Sequence, residues 1–141
     1  MLDHFFETYL KIEKAYRRFF QSEMEDYGLT PNELLVILFL AKRDKTLNTA
    51  RDIAQHEGVS KGLVARSVED LLAKGYLEVE RDEVDRRICH LYLTPSCDNI
   101  IARITEKKQD FFGRLVKDIP EGDVLTTERT LLRFMENITS V

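Results

Sequence analysis

Apolar side chains recur every three or four residues along the first part of the chain, which is the spacing of one face of an α-helix. The pattern starts at Leu2, continues to about residue 27 and stops at Gly28, a residue that favours a helix end. The stripe consists of Leu2, Phe5, Phe6, Tyr9, Leu10, Ile12, Tyr16, Phe19, Phe20 and Met24. A stripe this wide and aromatic packs either on the core of its own chain or on a second subunit, and the pattern leaves both open.

The next apolar segment predicts a central, buried helix with a clear start. Thr30 is a suitable N-cap, and Pro31 fits the first helical position. Residues 34–41 are apolar without interruption, so this helix should be covered on all sides. The run is far shorter than the roughly 20 residues that a bilayer requires. We therefore expect no membrane segment.

Two helices separated by a glycine turn follow. Thr49 caps a short helix that Gly58 ends, and Ser60 caps a longer helix that stops at Gly75. The inner face of the longer helix consists of Val64, Val68, Leu71 and Leu72. A short helix, a tight turn and a longer helix form the helix-turn-helix pattern.

After Gly75 the apolar period changes to two. Residues 76–82 and 86–94 alternate between apolar and polar positions and flank a charged turn, which predicts a β-hairpin. A hairpin directly after a helix-turn-helix is a winged helix. This arrangement suits duplex DNA, because the second helix fits the major groove and the hairpin reaches the neighbouring minor groove or backbone.

Two long helices complete the chain. Thr94 and Pro95 are expected to start the first, and Pro120 opens the last. One side of the last helix carries Val124, Leu131, Leu132, Met135 and Ile138. The predicted fold is mainly α with a small β-hairpin wing, and a chain of 141 residues should form one domain, 1–141.

In the second helix of the helix-turn-helix, the residues opposite the buried side are the ones that can contact DNA. These candidates are Ser60, Lys61, Gly62, Ala65 and Arg66. The leading end of such a helix usually meets base edges, and its free amides favour a phosphate. Arg66 is long enough for a guanine edge or a backbone contact, while Gly62 and Ala65 allow close approach. Alternatively, Lys61 and Arg66 are solvated surface charges, and Gly62 is only a poor helix former.

The turn of the hairpin supplies a second set of candidates, Asp85, Arg86 and Arg87. Asp85 can accept a hydrogen bond from an arginine and hold it in one rotamer. An arginine held in this way suits the narrow, strongly negative minor groove of A·T-rich DNA. The competing interpretation is a surface ion pair of little energetic weight.

The charge balance does not by itself favour nucleic acid. The net charge is −4, and residues 51–96 hold seven Lys and Arg against nine Asp and Glu. The acidic balance supports an alternative function, a winged-helix adaptor that binds proteins and does not read DNA. With two cysteines, no basic leader and an ordinary globular composition, we expect a cytoplasmic protein.

The segment from Thr49 to Thr94 resembles the MarR family of bacterial winged-helix regulators. The matching stretches are "TARDIAQHEGVS", "KGLVARSVEDLLAKGYLE" and above all "DRRICHLYLTP", in which Asp85-x-Arg87 precedes Leu-Thr-Pro at the family's usual spacing. Val79 and Glu80 stand where family members often carry a basic residue, which predicts weaker non-specific DNA binding.

The resemblance implies a homodimer built by helices 2–27 and 95–139, with a DNA-binding lobe at 30–94. Ser60 to Arg66 would then enter the major groove and Arg87 the minor groove of a palindromic operator, with half-sites about one helical turn apart. It also implies a repressor, in many members released from DNA by a small aromatic or phenolic effector. The first helix and the last two would form the dimer interface.

Two further sets of residues are candidates for sensing. An apolar effector pocket could be lined by Tyr16, Phe20, Tyr27 and Phe39, although core packing explains these residues equally well. Cys97 lies in the first turn of a helix, where the dipole lowers a thiol pKa, so it is the better oxidant sensor. Cys89 is expected to face the core as a small apolar residue.

The residue inventory points away from metal and enzyme chemistry. His4, His56 and His90 are scattered without ligand spacing, and the chain lacks a glycine-rich phosphate loop, a nucleophile elbow and a His-Glu metal motif. We therefore expect neither a metal nor a cofactor, and a function other than catalysis.

Overall fold

A computed structural model of the chain describes residues 1–42 and 45–140; Arg43, Asp44 and Val141, including part of the polar loop before the helix-turn-helix, lie outside the described residues. The elements in chain order are α1 (Leu2–Glu25), α2 (Pro31–Lys42), α3 (Ala50–Glu57), α4 (Lys61–Ala73), β1 (Leu77–Arg81), β2 (Cys89–Leu93), a 3-10 turn (Pro95–Cys97), α5 (Asp98–Leu115) and α6 (Glu121–Thr139). The predicted fold class, mainly helical with a hairpin wing, is confirmed. In these two described ranges, no helix is long and apolar enough to span a bilayer.

The helix-turn-helix is defined by local caps. The Thr49 hydroxyl accepts a hydrogen bond from the Asp52 amide, and the Asp52 carboxylate accepts one from the Thr49 amide, so both groups cap the start of α3. Gly58 ends α3 with φ of 63°, a conformation in which a side chain would be strained. The hydroxyl of Ser60 then accepts from the Leu63 amide and starts α4. These caps confirm the predicted helix boundaries.

Helix α2 is central, as its unbroken apolar run predicts. Its buried residues are Glu33, Leu34, Val36, Ile37 and Phe39. The buried Glu33 carboxylate accepts a hydrogen bond of 2.6 Å from the Lys74 ammonium, which also donates to the carbonyl oxygen of Gly28 at 3.0 Å. Because Lys74 is the C-cap of α4, this ion pair joins the end of α4 to the start of α2.

The wing, residues 77–93, is an antiparallel pair in which Leu77 lies opposite Leu93 and Arg81 lies opposite Cys89. Leu77 and Leu91 are the buried residues of its two strands. Beyond the wing, the Thr94 hydroxyl donates to the carbonyl oxygen of Gly75 at 2.7 Å and makes no capping hydrogen bond. Thr94 thus stands at the N-cap position of the 3-10 turn that leads into α5, with Pro95 directly after it as predicted, but its side chain closes the base of the wing.

The chain forms two compact units, one comprising Met1–Thr105 and the other starting at Glu106. Within the first unit, α1 buries only Phe20 and Met24. The apolar residues of its N-terminal half are largely exposed, among them Leu2, Phe6, Tyr9, Leu10 and Ile12. Packing in the chain's own core thus accounts for the C-terminal part of the aromatic stripe only.

The second unit contains the end of α5 and all of α6. The rings of Phe111 and Phe112 meet edge to face, 6.0 Å apart, and the turn before α6 contains Asp118 with φ of 61°. None of the α6 residues, all of which are described, is buried. Its exposed large apolar residues are Leu125, Leu132, Phe134, Met135 and Ile138. That residues 1–141 act as one domain stays a prediction.

Candidate nucleic-acid interface

The exposed face of α4 carries the residues that the sequence predicts for it. Val64 and Leu71 are almost completely buried, and Val68 is buried with them, which turns the opposite side of the helix to solvent. The exposed residues on that side are Lys61, Gly62, Ala65, Arg66 and Glu69. A Cβ atom added at Gly62 would have no neighbour within 4 Å, so the backbone here is open to approach. The arrangement of the face agrees with the prediction, while contact with DNA stays a prediction.

The leading end of α4 contains one residue that the sequence analysis does not single out. Ser60 uses its hydroxyl oxygen to cap the helix at 3.2 Å from the Leu63 amide nitrogen. Leu63 itself is about half exposed, although it lies next to the buried Val64. An exposed aliphatic side chain at this place can contact a thymine methyl group. The signal in the sequence is weak, because a lone leucine in a helix is usually interpreted as core.

Arg87 at the wing turn is held by Asp85. The arginine Nε donates to Oδ1 of Asp85 at 3.1 Å, Nη2 donates to Oδ2 at 3.1 Å, and the Arg87 amide also donates to Oδ1 at 3.1 Å. These hydrogen bonds lower the pKa of Asp85 and raise that of Arg87. The Arg87 side chain nevertheless remains 91% exposed. The predicted orienting contact of Asp85 is therefore present, and it is made to Arg87.

The turn that carries Asp85 is organised by another carboxylate, Asp82. Its Oδ2 accepts from the amides of Val84 at 3.0 Å and Asp85 at 2.9 Å. Two main-chain hydrogen bonds close the same turn. The Asp82 amide donates to the carbonyl oxygen of Ile88 at 2.9 Å, and the Ile88 amide donates to that of Asp85 at 3.0 Å. The hydrogen bond from the Asp85 amide, followed by that from His90, lowers the pKa of Asp82.

His90 connects the wing to the start of the helix-turn-helix. Its Nε2 lies 2.9 Å from Oδ1 of Asp82 and its Nδ1 lies 2.6 Å from Oδ1 of Asn48. Because a carboxylate only accepts, the contact to Asp82 requires a hydrogen on Nε2, while the direction of the Nδ1 contact depends on the ring tautomer and on the orientation of the Asn48 amide. The main-chain carbonyl oxygen of the buried Asn48 separately accepts a hydrogen bond from the Leu91 amide at 2.8 Å. Sequence analysis misses this contact, since 42 residues separate the two side chains and neither position has a recognisable pattern.

The two cysteines are arranged opposite to the prediction. Cys89 is exposed and Cys97 is buried. Burial raises the pKa of the Cys97 thiol, which donates a hydrogen bond to the carbonyl oxygen of Tyr76. The expected lowering of the Cys97 pKa is therefore wrong, because desolvation outweighs the helix dipole. The expected inward orientation of Cys89 is also wrong, since the strand extends beyond the core at that point.

The four residues of the candidate effector pocket make several ring contacts within the first compact unit. Tyr16 and Phe20 meet edge to face with centroids 4.7 Å apart, and partial burial raises the pKa of Tyr16. The guanidinium carbon of Arg103 lies over the ring of Tyr27, 5.8 Å from its centroid. Phe39 is buried and packs near the ring of His56. A shared pocket for an effector stays a prediction.

Across residues 1–42 and 45–140, no group of three or more His, Cys, Asp or Glu side chains could hold a metal ion. His90 is engaged by Asp82 and Asn48, as described above.

Comparison with known proteins connects this geometry to one family. Residues 27–88 match the sequence profile described as the MarR family. The solved structure of transcriptional regulator PA3341 is 30% identical in sequence to this chain and superposes on it with a TM-score of 0.82. The alignment covers 96% of this chain and 99% of PA3341. The chain belongs to the MarR family. This is a family of DNA-binding transcriptional regulators, and the resemblance seen in the sequence is confirmed.

The chain is also similar to a curated transcriptional regulator and to a solved protein–DNA complex. The HTH-type transcriptional regulator BilQ of Clostridium symbiosum is 33% identical over 76 residues, 54% of this chain. The aligned part spans about half of BilQ, 51% of its length. The S. aureus MepR–DNA complex has a TM-score of 0.78, with 92% of this chain and 96% of that chain covered. Its 17% identity indicates the fold alone.

Proposed function

We propose that this protein is a sequence-specific transcriptional regulator that binds a palindromic operator as a homodimer. The observation that carries the proposal is the Asp85–Arg87 pair at the exposed turn of the wing. A surface arginine usually samples many rotamers, and holding it costs side-chain entropy. A fixed, solvent-exposed guanidinium beside an open helix face suits insertion into a minor groove.

In the proposed complex, α4 enters the major groove with its leading end towards the bases. Lys61 and the capped end of the helix would meet a phosphate, and Arg66 would contact a guanine edge or the backbone. Arg87, with Arg86 beside it, would contact the adjacent minor groove. Both arginines and Lys61 are exposed, which supports these roles.

The homodimer is supported by exposed apolar surface on the long helices. The N-terminal half of α1 and the whole of α6 each present large apolar side chains to solvent in the single chain. Surfaces of this kind mark protein–protein contacts. A two-fold axis between two winged-helix lobes would give half-sites separated by about one helical turn.

We further propose that the protein is a cytoplasmic repressor that a small aromatic or phenolic effector releases from DNA. The support lies in the half-buried rings of Tyr16 and Tyr27, on which an aromatic ligand could stack. The Arg103 guanidinium beside Tyr27 already pairs with the carboxylates of Glu23 and Asp26.

A protein-binding adaptor is the second candidate. The exposed carboxylates of Glu78, Glu80 and Glu83 along the wing favour it, because they repel the DNA backbone. An adaptor would keep the fold and the dimer but would select no DNA sequence.

Selection from random duplex DNA with the purified dimer at moderate salt tests the proposal. We expect a palindrome whose half-sites lie one helical turn apart. Fluorescence anisotropy on that duplex should then give weaker binding for Arg87→Ala with a reduced A·T preference in the flanks. Arg66→Ala should change base preference at one position per half-site; a uniform loss over all sequences would make Arg66 a phosphate contact.

The matched control is Arg17→Ala, which removes one charge and one exposed ion pair outside the lobe, once size-exclusion chromatography has established that the variant is still a dimer. It should leave affinity unchanged. A folded, dimeric protein that enriches no sequence, even after unfolding and refolding to remove bound small molecules, would favour the adaptor.

A further inference from the structure

The wing turn is linked to the start of α3 by a continuous series of polar contacts. Asn48 contacts His90, His90 contacts one oxygen of Asp82, and the other oxygen of Asp82 accepts the amide of Asp85. Asp85 in turn holds Arg87 through both carboxylate oxygens. Each contact lies between 2.6 and 3.1 Å. The position of Arg87 therefore depends on side chains that do not touch it.

An ordinary aspartate turn does not need this construction. The hydrogen bonds from Asp82 to the two amides are local and would by themselves define a turn. The histidine adds a contact between residue 90 and residue 48, and it occupies the second oxygen of Asp82. With both oxygens engaged, the Asp82 carboxylate cannot rotate about its bond to Cβ without losing a partner. The turn is thus fixed with respect to both the strand and the loop before α3.

We infer that Asp82 and His90 are positioning residues for Arg87, and that they set how strongly the wing discriminates A·T from G·C flanks. The inference rests on the proposed function, in which Arg87 enters the minor groove. Without Asp82, the Asp85 amide loses its acceptor, the carboxylate that holds Arg87 changes direction, and the guanidinium samples more rotamers. Insertion into a narrow groove then has to restrict a mobile side chain, which weakens binding where the groove is narrowest.

The surroundings of His90 support the inference. The histidine faces Glu80 across the strand pair, Asp82 at the turn, and Asn48 from the loop before α3. It is about one quarter exposed and Asp82 about one third, so neither side chain is part of the apolar core. Their removal should alter the wing more than the stability of the lobe.

The experiment compares four variants in the full-length protein. Asp82→Ala removes the central carboxylate, and Glu83→Ala is its control, because it removes an equal charge from the next, exposed position. His90→Ala removes the link to Asn48, and His90→Gln is the conservative variant, because its amide can still donate to Asp82. Thermal unfolding of each variant establishes that it is folded.

The first readout needs no DNA. In the wild type we expect the Nε–H signal of Arg87 to be resolved and protected in a nitrogen–proton NMR spectrum, because Asp85 accepts from it. Asp82→Ala and His90→Ala should broaden or shift this signal towards that of a free arginine, while Glu83→Ala and His90→Gln should retain it. An unchanged Arg87 signal in folded Asp82→Ala would overturn the inference, whatever the protein binds.

The second readout is the ratio of affinities for the selected operator with A·T or G·C flanks. Asp82→Ala should reduce this ratio by about three- to tenfold, the range expected when one side chain must be ordered on binding. In an Arg87→Ala background the same substitution should have no further effect. A reduced ratio that persists without Arg87 would refute the positioning role. If the wild type selects no DNA, the proposed function fails and the NMR comparison alone decides the positioning role.

Discussion

Helix α4 and the wing are held in place by different kinds of contact. Helix α4 buries Val64, Val68 and Leu71 against the core, and the Lys74–Glu33 pair fixes its end. The ten residues of the two wing strands bury only two side chains, and the turn is determined by hydrogen bonds among polar side chains that stay at least partly in water.

This difference matters because the two kinds of contact control different things. Apolar burial is large but non-directional, so it determines where an element lies. Hydrogen bonds are individually modest but directional, so they determine how one side chain points. The position of α4 should therefore depend on the volume of the side chains packed beneath it. The direction of the Arg87 side chain should depend on pH and on the carboxylates of Asp82 and Asp85.

Shortening a core side chain under α4 should have the largest effect. Leu71→Ala should lower the free energy of unfolding by about 2–5 kcal/mol, because it leaves a cavity at a completely buried site. Urea unfolding followed by circular dichroism measures the loss. Val84→Ala on the wing, where the side chain is 96% exposed, is the control and should change stability by less than about 0.5 kcal/mol. Equal losses in both variants would remove the distinction between the two regions.

Breaking the ion pair at the end of α4 should have a smaller effect. Lys74→Met leaves the buried Glu33 carboxylate without its cation, and we expect a loss of about 1–3 kcal/mol in the same urea experiment. Glu33→Gln combined with Lys74→Met should recover part of that loss, because the neutral amide is less costly to bury. Lys61→Met at the exposed start of the helix is the control. No difference between the Lys74 and Lys61 variants would mean that the pair does not stabilise the helix end.

Acid should release the wing turn while α4 remains folded. The pKa values of Asp82 and Asp85 are both lowered in the folded protein, so each carboxylate contributes stability that is present above its unfolded pKa and is lost as pH falls through the lower folded value. The NMR signals of the Val84 and Asp85 amides should therefore stay unchanged as the pH is lowered to about 4, where an ordinary aspartate protonates. They should shift only at lower pH. A midpoint at or above about 4 would contradict the lowered pKa values.

Thiol reactivity should distinguish the exposed wing from the buried core without a measurement of stability. Exposed Cys89 on the wing should react quickly with a disulfide reagent at neutral pH, and buried Cys97 should react only as the protein opens. Cys89→Ser should abolish the fast phase in a stopped-flow absorbance measurement, while Cys97→Ser should retain it. A fast phase that survives in Cys89→Ser would mean that Cys97 is accessible.

The sequence predicts those parts of the fold that depend on local chemistry. The caps at Thr49 and Ser60, the glycine at 58 and the change of period at Gly75 are all short-range signals, and each one marks a boundary that the structure contains. The Asp85–Arg87 contact is also local, because the partners are only two positions apart in one turn. The MarR-like wing signature is consequently visible in the sequence alone.

What the sequence does not predict depends on contacts between distant segments. The thiol of Cys97 is expected to be activated by the helix start, but it is buried and donates to the carbonyl oxygen of Tyr76, 21 positions earlier in the chain. Thr94 occupies the N-cap position, but its hydroxyl bonds to the carbonyl oxygen of Gly75 and not to an amide of the helix start. The Asn48–His90 contact spans 42 positions and involves two residue types without a characteristic pattern. These three cases have one cause: the partner lies on another element.

The place of Asn48 has an evolutionary consequence. This residue meets the wing through its side chain and its carbonyl oxygen, and the very next residue, Thr49, caps α3. An insertion between them would disturb both elements in a single event, whereas lengthening the exposed turn around Asp118 affects neither. Among relatives with this wing, positions 48 and 90 should therefore be replaced together, whereas Asp82 can remain because its bonds to the turn amides are local.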